Sequence, residues 1–139
     1  MKVLLTALLI FSTYISDAQT VQYDVAINFS SIGAGTPSEE FLLKFYKKQK
    51  KTFKRIQAFK AGGCGREGEF SILMNTKGMK VADKTVFYKK LKALVLAEEK
   101  KNLLNNTSSG HITMTRKVMS DEFAHCRAGI IKWPEISSK

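Results

Sequence analysis

Beyond residue 11 the 139-residue chain contains no apolar run long enough to cross a bilayer core, which takes about 20 apolar residues in a helix. The later chain therefore reads as a soluble domain rather than a helical membrane protein. It also lacks the paired spacings that hold metals: there is no C-x₂-C and no H-x₃-H. The full phosphate-loop pattern G-x-x-x-x-G-K-[ST] is missing too. Cysteine and histidine occur only as Cys64, Cys126, His111 and His125. Acidic residues are scarce, with 12 Asp and Glu against 23 Lys and Arg and a net charge of +11. These shortages remove most routes to metal, nucleotide and cysteine-protease chemistry and leave a basic chain that favours anionic partners.

The N-terminal 18 residues follow the order of a secretory signal peptide. Lys2 precedes the apolar stretch 3–11, and the polar "STYISDAQT" follows, with Ser16 and Ala18 as the small residues before a cut at Gln19. This nine-residue stretch, broken by Thr6, is too short to anchor in a bilayer. Residues 19–139 then form one α+β domain, secreted or periplasmic, and long enough for a single core. Hydrophobic residues at 44% and aromatics at 10% support a packed interior over disorder. The positive excess stays with this domain, because Lys2 and Asp17 cancel within the removed segment.

"VQYDVAINF" (21–29) places Val21, Tyr23, Val25, Ile27 and Phe29 on one face of a strand. A helix is expected from "TPSEEFLLKFYKKQKKTFKR", with Thr36 as N-cap, Pro37 in the first turn and Glu39 completing a capping box. Its apolar stripe is Phe41, Leu42, Phe45 and Tyr46, with Phe53 beyond. Residues 55–61 and 66–75 bracket "GGCG" and read as a hairpin, with Phe70, Ile72 and Met74 on one face. Asp83 is a candidate cap for a second helix that buries Val86, Phe87, Leu91, Leu94 and Val95. "HITMTRKVM" (111–119) alternates as a strand, and "FAHCRAGIIKW" adds a further C-terminal one. The order β-α-β-β-α-β is that of a ferredoxin-like split β-α-β sandwich, with two helices on one face of a mostly antiparallel sheet.

"AGGCGREGEF" (61–70) is the stretch that most resembles a reactive centre. Arg66 is placed to activate Cys64, but no histidine stands beside it as a base. Glu67 and Glu69 share a strand face and suit a solvated edge better than a catalytic pair. No catalytic residue is assigned, and the domain reads as non-enzymatic. Compartment and topology give opposite answers for the cysteines. An exported chain with two of them suggests a disulfide. The split β-α-β order, however, sets the hairpin bearing Cys64 and the end of the last ferredoxin strand, before Cys126, at opposite ends of the sheet. A metal site from Cys64, His111, His125 and Cys126 is disfavoured, since His125 and Cys126 point apart if they lie in a strand. His111 is expected to face solvent. "SIGAGTPSEE" reads as a βα turn, because Glu39 and Glu40 repel a phosphate.

The distinctive feature is "KFYKKQKKTFKR": Lys44, Lys47, Lys48, Lys50, Lys51, Lys54 and Arg55 crowd one helix with few acids among them. Lys89, Lys90 and Lys92 of the second helix extend the basic layer. The leading expectation is a small binding module for an anionic surface or polymer: lipid headgroup, acidic polysaccharide or nucleic acid. The alternatives are a thiol/disulfide or metal-binding protein built on Cys64 and Cys126, and a protein–protein module using a sheet face or edge. No cofactor is implied. Asn28, Asn105 and Asn106 are sequons that matter only in a glycosylating source.

Overall fold

The structure, a computed structural model, describes residues 19–33, 35–105 and 110–134; the expected signal peptide and the Asn106 sequon lie outside them. In chain order the elements are β1 (Gln22–Ser31), α1 (Glu40–Thr52), β2 (Gln57–Ala61), β3 (Phe70–Asn75), α2 (Val81–Leu104), β4 (Gly110–Met119), a 3₁₀ turn (Ser120–Phe123) and β5 (Ile130–Lys132). The strands form one sheet in the order β4-β1-β3-β2-β5, and every adjacent pair is antiparallel. The α+β class, the two helices and the extra C-terminal strand agree with the sequence reading. The last strand is confined to three residues of the longer tail expected to form it.

The central pair sets the register. Val25, Ile27 and Phe29 stand opposite Met74, Ile72 and Phe70. All six lie in the larger core cluster, under Leu42 and Tyr46 of α1 and Phe87, Leu91 and Val95 of α2. Phe29 and Phe70 stack at 4.5 Å. Burying each such side chain contributes about 1.5–3 kcal/mol. Ala26, Ala61 and Leu73 face the other way and pack under Phe123 and Cys126 of the C-terminal segment. Because both faces of β3 are covered, all six of its residues are buried.

Four local expectations need correcting. The β1 alternation slips at Asp24: Tyr23 joins the outer cluster while Val25 faces the helices. The slip lies opposite Lys117, whose φ of 53° breaks the regular pleat of β4. It lets the Asp24 carboxylate reach Thr76, accepting from its N–H at 2.6 Å and its hydroxyl at 2.8 Å. The helix α1 begins at Glu40, not at Pro37, and Glu39 makes no side-chain cap. That carboxylate is committed elsewhere, to the Lys60 ammonium at 2.8 Å and the Trp133 indole N–H at 3.0 Å. Asp83 lies inside the first turn of α2 rather than capping it. Finally, α2 buries Tyr88 where Val86 was expected, and Val86 is 52% exposed.

Tyr88 is turned inward by a polar chain. Thr76 spends its proton on Asp24, so the Tyr88 hydroxyl donates to Thr76 Oγ1 at 2.9 Å. Burial pushes the Tyr88 phenol above its ordinary value, with the Asp24 charge adding to the rise and the Arg116 charge opposing it. Burial alone raises Tyr23 and Tyr46. A proton held more tightly in the folded chain favours the fold below the unfolded value, and the advantage is lost as pH climbs through the folded one. The melting temperature is therefore expected to fall as pH rises above the ordinary phenol value of 10.0, with phenolate absorbance appearing together with unfolding. Circular dichroism melts and near-ultraviolet titration check this; tyrosines that ionise like free phenol in an intact fold contradict it.

Candidate functional site

The α1 stripe Phe41, Leu42, Phe45 and Tyr46 goes to the core, which leaves the intervening lysines to solvent. Lys44, Lys47, Lys48, Lys51, Lys54 and Arg55 are exposed. Spacings of three and four along the helix bring Lys44, Lys47, Lys48 and Lys51 onto neighbouring turns. Two members of the expected set have local partners. Lys44 pairs with Glu40 at 2.8 Å. This hydrogen bond, reinforced by charge attraction, lowers the Glu40 carboxyl and raises the Lys44 ammonium. Lys50 is half-buried and its ammonium donates to the Ile56 carbonyl, bracing the turn into β2. Lys47, Lys48, Lys51, Lys54 and Arg55 form no ion pair among the described residues.

The basic surface continues across the end of α1. Lys54 and Arg55 share a shallow hollow of about 230 Å³ with Lys80 and Asp83, where the start of α2 comes alongside. Gly78 keeps the turn into α2 close, with φ at +83° and the Arg55 side chain 2.8 Å from where a Cβ would sit. Lys89 and Lys92, expected to flank α1, lie instead on the β4 side of α2. There, with Lys84 and Arg116, they surround a groove of about 650 Å³ floored by Tyr88 and Met114. Lys84 and Arg116 were not singled out in the sequence. The available signal was the alternation that puts Met114 and Arg116 on the same strand face as Ile112.

Cys64 and Cys126 are joined, with an S–S distance of 2.07 Å, which resolves the conflict between compartment and topology in favour of the bond. The topological objection fails because the chain after β4 does not stay at that end of the sheet. The 3₁₀ turn starts it across the outer face, where Phe123 packs with Tyr23, Leu73 and Val118. The segment then meets the hairpin backbone: Arg127 N–H donates to the Gly63 carbonyl and Ala128 N–H to the Gly62 carbonyl, both at 3.1 Å. Residues 124–128 are turns, so His125 and Cys126 are not splayed as in a strand. His125 Nε2 lies 3.9 Å from Cys126 Sγ, and a ligand atom from each of Cys64, His125 and Cys126 falls within 4.8 Å of the others. While the bond is intact neither sulfur is a thiolate, the form that attacks or binds metal.

The remaining candidates have structural partners. Exposed His111 meets Glu99 through Nδ1 at 2.6 Å, while the other Glu99 oxygen accepts from Ile112 N–H at 2.7 Å. Glu67 and Glu69 lie in the hairpin loop before β3, not on a strand face, and Glu69 accepts from Glu67 N–H at 3.0 Å. "AGGCGREGEF" is thus a folded loop tied to the C-terminal segment.

The bond spans 62 residues, for which chain-entropy reasoning gives about 4 kcal/mol of stabilisation. Replacing both cysteines by alanine is expected to cost about 2–4 kcal/mol and to expose Arg127 and Lys132 to trypsin while the α1 and α2 sites stay protected. Denaturant unfolding and limited proteolysis measure the two effects. The intact mass of the untreated protein is expected two hydrogens below that of the reduced form, with no alkylation before reduction. No known family, curated protein or solved structure matches the chain, so the reading of these sites rests on their geometry.

Proposed function

We propose that the protein is an exported, non-enzymatic module with a ferredoxin-like split β-α-β fold that binds an anionic polymer or surface through the basic face of α1. The fold reading is supported by the β4-β1-β3-β2 order and by both helices packing on one sheet face. Export is supported by the N-terminal pattern and by the disulfide, a bond that persists in oxidising compartments. No helix among the described residues is long and apolar enough to cross a membrane.

The observation that carries the binding reading is the run of exposed cations Lys47, Lys48, Lys51, Lys54 and Arg55 without ion-pair partners among the described residues. Ordinary solvated helices interleave acids with their bases. Between residues 41 and 55 there is no acid, and Glu40 is engaged by Lys44. Lysine ammoniums act as point charges, so the partner is selected by charge density more than by shape. Acidic polysaccharide, lipid headgroups and nucleic acid share that chemistry.

Immobilised heparin-like polymer, anionic vesicles and duplex DNA test the reading in parallel. Retention on at least one is expected, falling steeply with salt. The variant Lys47→Glu/Lys51→Glu/Lys54→Glu is expected to bind that matrix at least about tenfold more weakly at ~0.1 M salt. Absence of retention on all three, or equal retention of the variant, overturns the proposal.

A further inference from the structure

The groove between α2 and β4 carries a second reading, independent of the α1 surface. Among the described residues, the hydrogen bonds between the two elements gather at one end. Glu99 grips His111 and the Ile112 N–H, and the Asn102 side-chain amide donates to the Gly110 carbonyl. Toward the start of α2 and the middle of β4 they part and leave the concavity of about 650 Å³. That volume falls within the range of small-ligand sites, about 300–1,000 Å³.

Its floor and rim differ in chemistry. The floor is Tyr88 and Met114, with Val81 at one side. Tyr88 spends its hydroxyl inward on Thr76, so it turns only ring toward the groove. The Arg116 guanidinium already covers one ring face, 3.6 Å from the centroid. A flat aromatic ligand has no free stacking partner on that side, and the remaining hydroxyl of the lining, that of Thr85, already donates to the Val81 carbonyl. A flexible hydrocarbon chain needs neither a free ring face nor a hydrogen bond: Val81 and Met114 offer apolar surface beside Tyr88, and the unbranched thioether of Met114 adapts to it. The rim carries Lys84, Lys89 and Lys92 from α2 facing Arg116 from β4. None of the four forms an ion pair among the described residues, and no acid lines the groove. Arg116 presents the planar fork that suits a carboxylate.

We infer that the groove between α2 and β4 is a binding site for a free single-chain fatty carboxylate, with its tail along Val81 and Met114 and its head between Arg116 and the lysines.

Displacement of a fluorescent dansyl-undecanoate probe from the disulfide-bonded protein, below micelle-forming concentrations, tests this. Saturable one-to-one binding is expected, displaced by palmitate but not by hexadecanol, hexanoate or heparin. Arg116→Gln/Lys84→Gln is expected to weaken binding at least tenfold, and Met114→Glu to remove it by placing an anion in the floor. Melting curves accompany each variant; should the Met114 variant unfold, the rim variant decides alone. The α1 variant Lys47→Glu/Lys51→Glu/Lys54→Glu is expected to bind the probe as the unaltered protein does, so loss of polymer binding and loss of fatty-acid binding are read separately. No saturable binding, equal displacement by hexadecanol or by heparin, or an unchanged affinity in the rim variant overturns the inference.

Discussion

The Cys64–Cys126 bond fixes where the C-terminal segment lies, and the organisation of the outer sheet face follows from it. Among the described residues two helices cover the five-stranded sheet, and both lie on one side. Ala26, Ala61 and Leu73 on the other side need a cover, which the segment beyond β4 supplies with Phe123 and Cys126. A short irregular segment holds such a position weakly on hydrophobic contact alone. Tied to the hairpin at Cys64, it is delivered to the edge of β2 in register for β5, where Ile131 stands opposite Lys60. From there Trp133 reaches back over the sheet edge to the helix-side core, packs 5.6 Å from Tyr46 and donates to Glu39. One crosslink thereby couples the two faces of the domain.

Much of the architecture was legible because it is periodic. The β1 alternation from Val25 to Phe29, the α1 stripe and the Phe70–Ile72–Met74 face each follow one repeat, and each buries the residues that the repeat selects. What escaped were contacts made by groups far apart in sequence. Glu39 looked like a capping residue because Thr36 stands three places before it, but its partners Lys60 and Trp133 lie 21 and 94 residues away. The Cys64–Cys126 pair could be named as a candidate bond but not brought together, because a 3₁₀ turn crossing a sheet face leaves no periodic mark. The long α2 misled differently. It carries apolar residues on several sides, with Val81, Val86, Leu96, Leu103 and Leu104 all exposed, so no single stripe identified Tyr88 as the residue turned inward.

The two candidate sites show the same division. The α1 lysines could be read directly, since a helix that buries its aromatics must present the residues between them. The α2–β4 groove could not, because its cations come from two elements whose separation depends on the Glu99 contacts at one end. Charge alone predicted affinity for anions. Where that charge borders an apolar hollow, and where it lies on an open helix, required coordinates.

Lys117 has a consequence beyond the slip it makes in β1. The strand β4 borders the sheet, the position from which sheets recruit strands from other molecules. Its positive-φ residue lies beside the exposed Arg116 and interrupts the extended backbone that an incoming strand would have to follow. At the opposite border β5 offers only three residues. The two borders thus offer an incoming strand a β4 edge broken at Lys117 and a β5 edge of three residues.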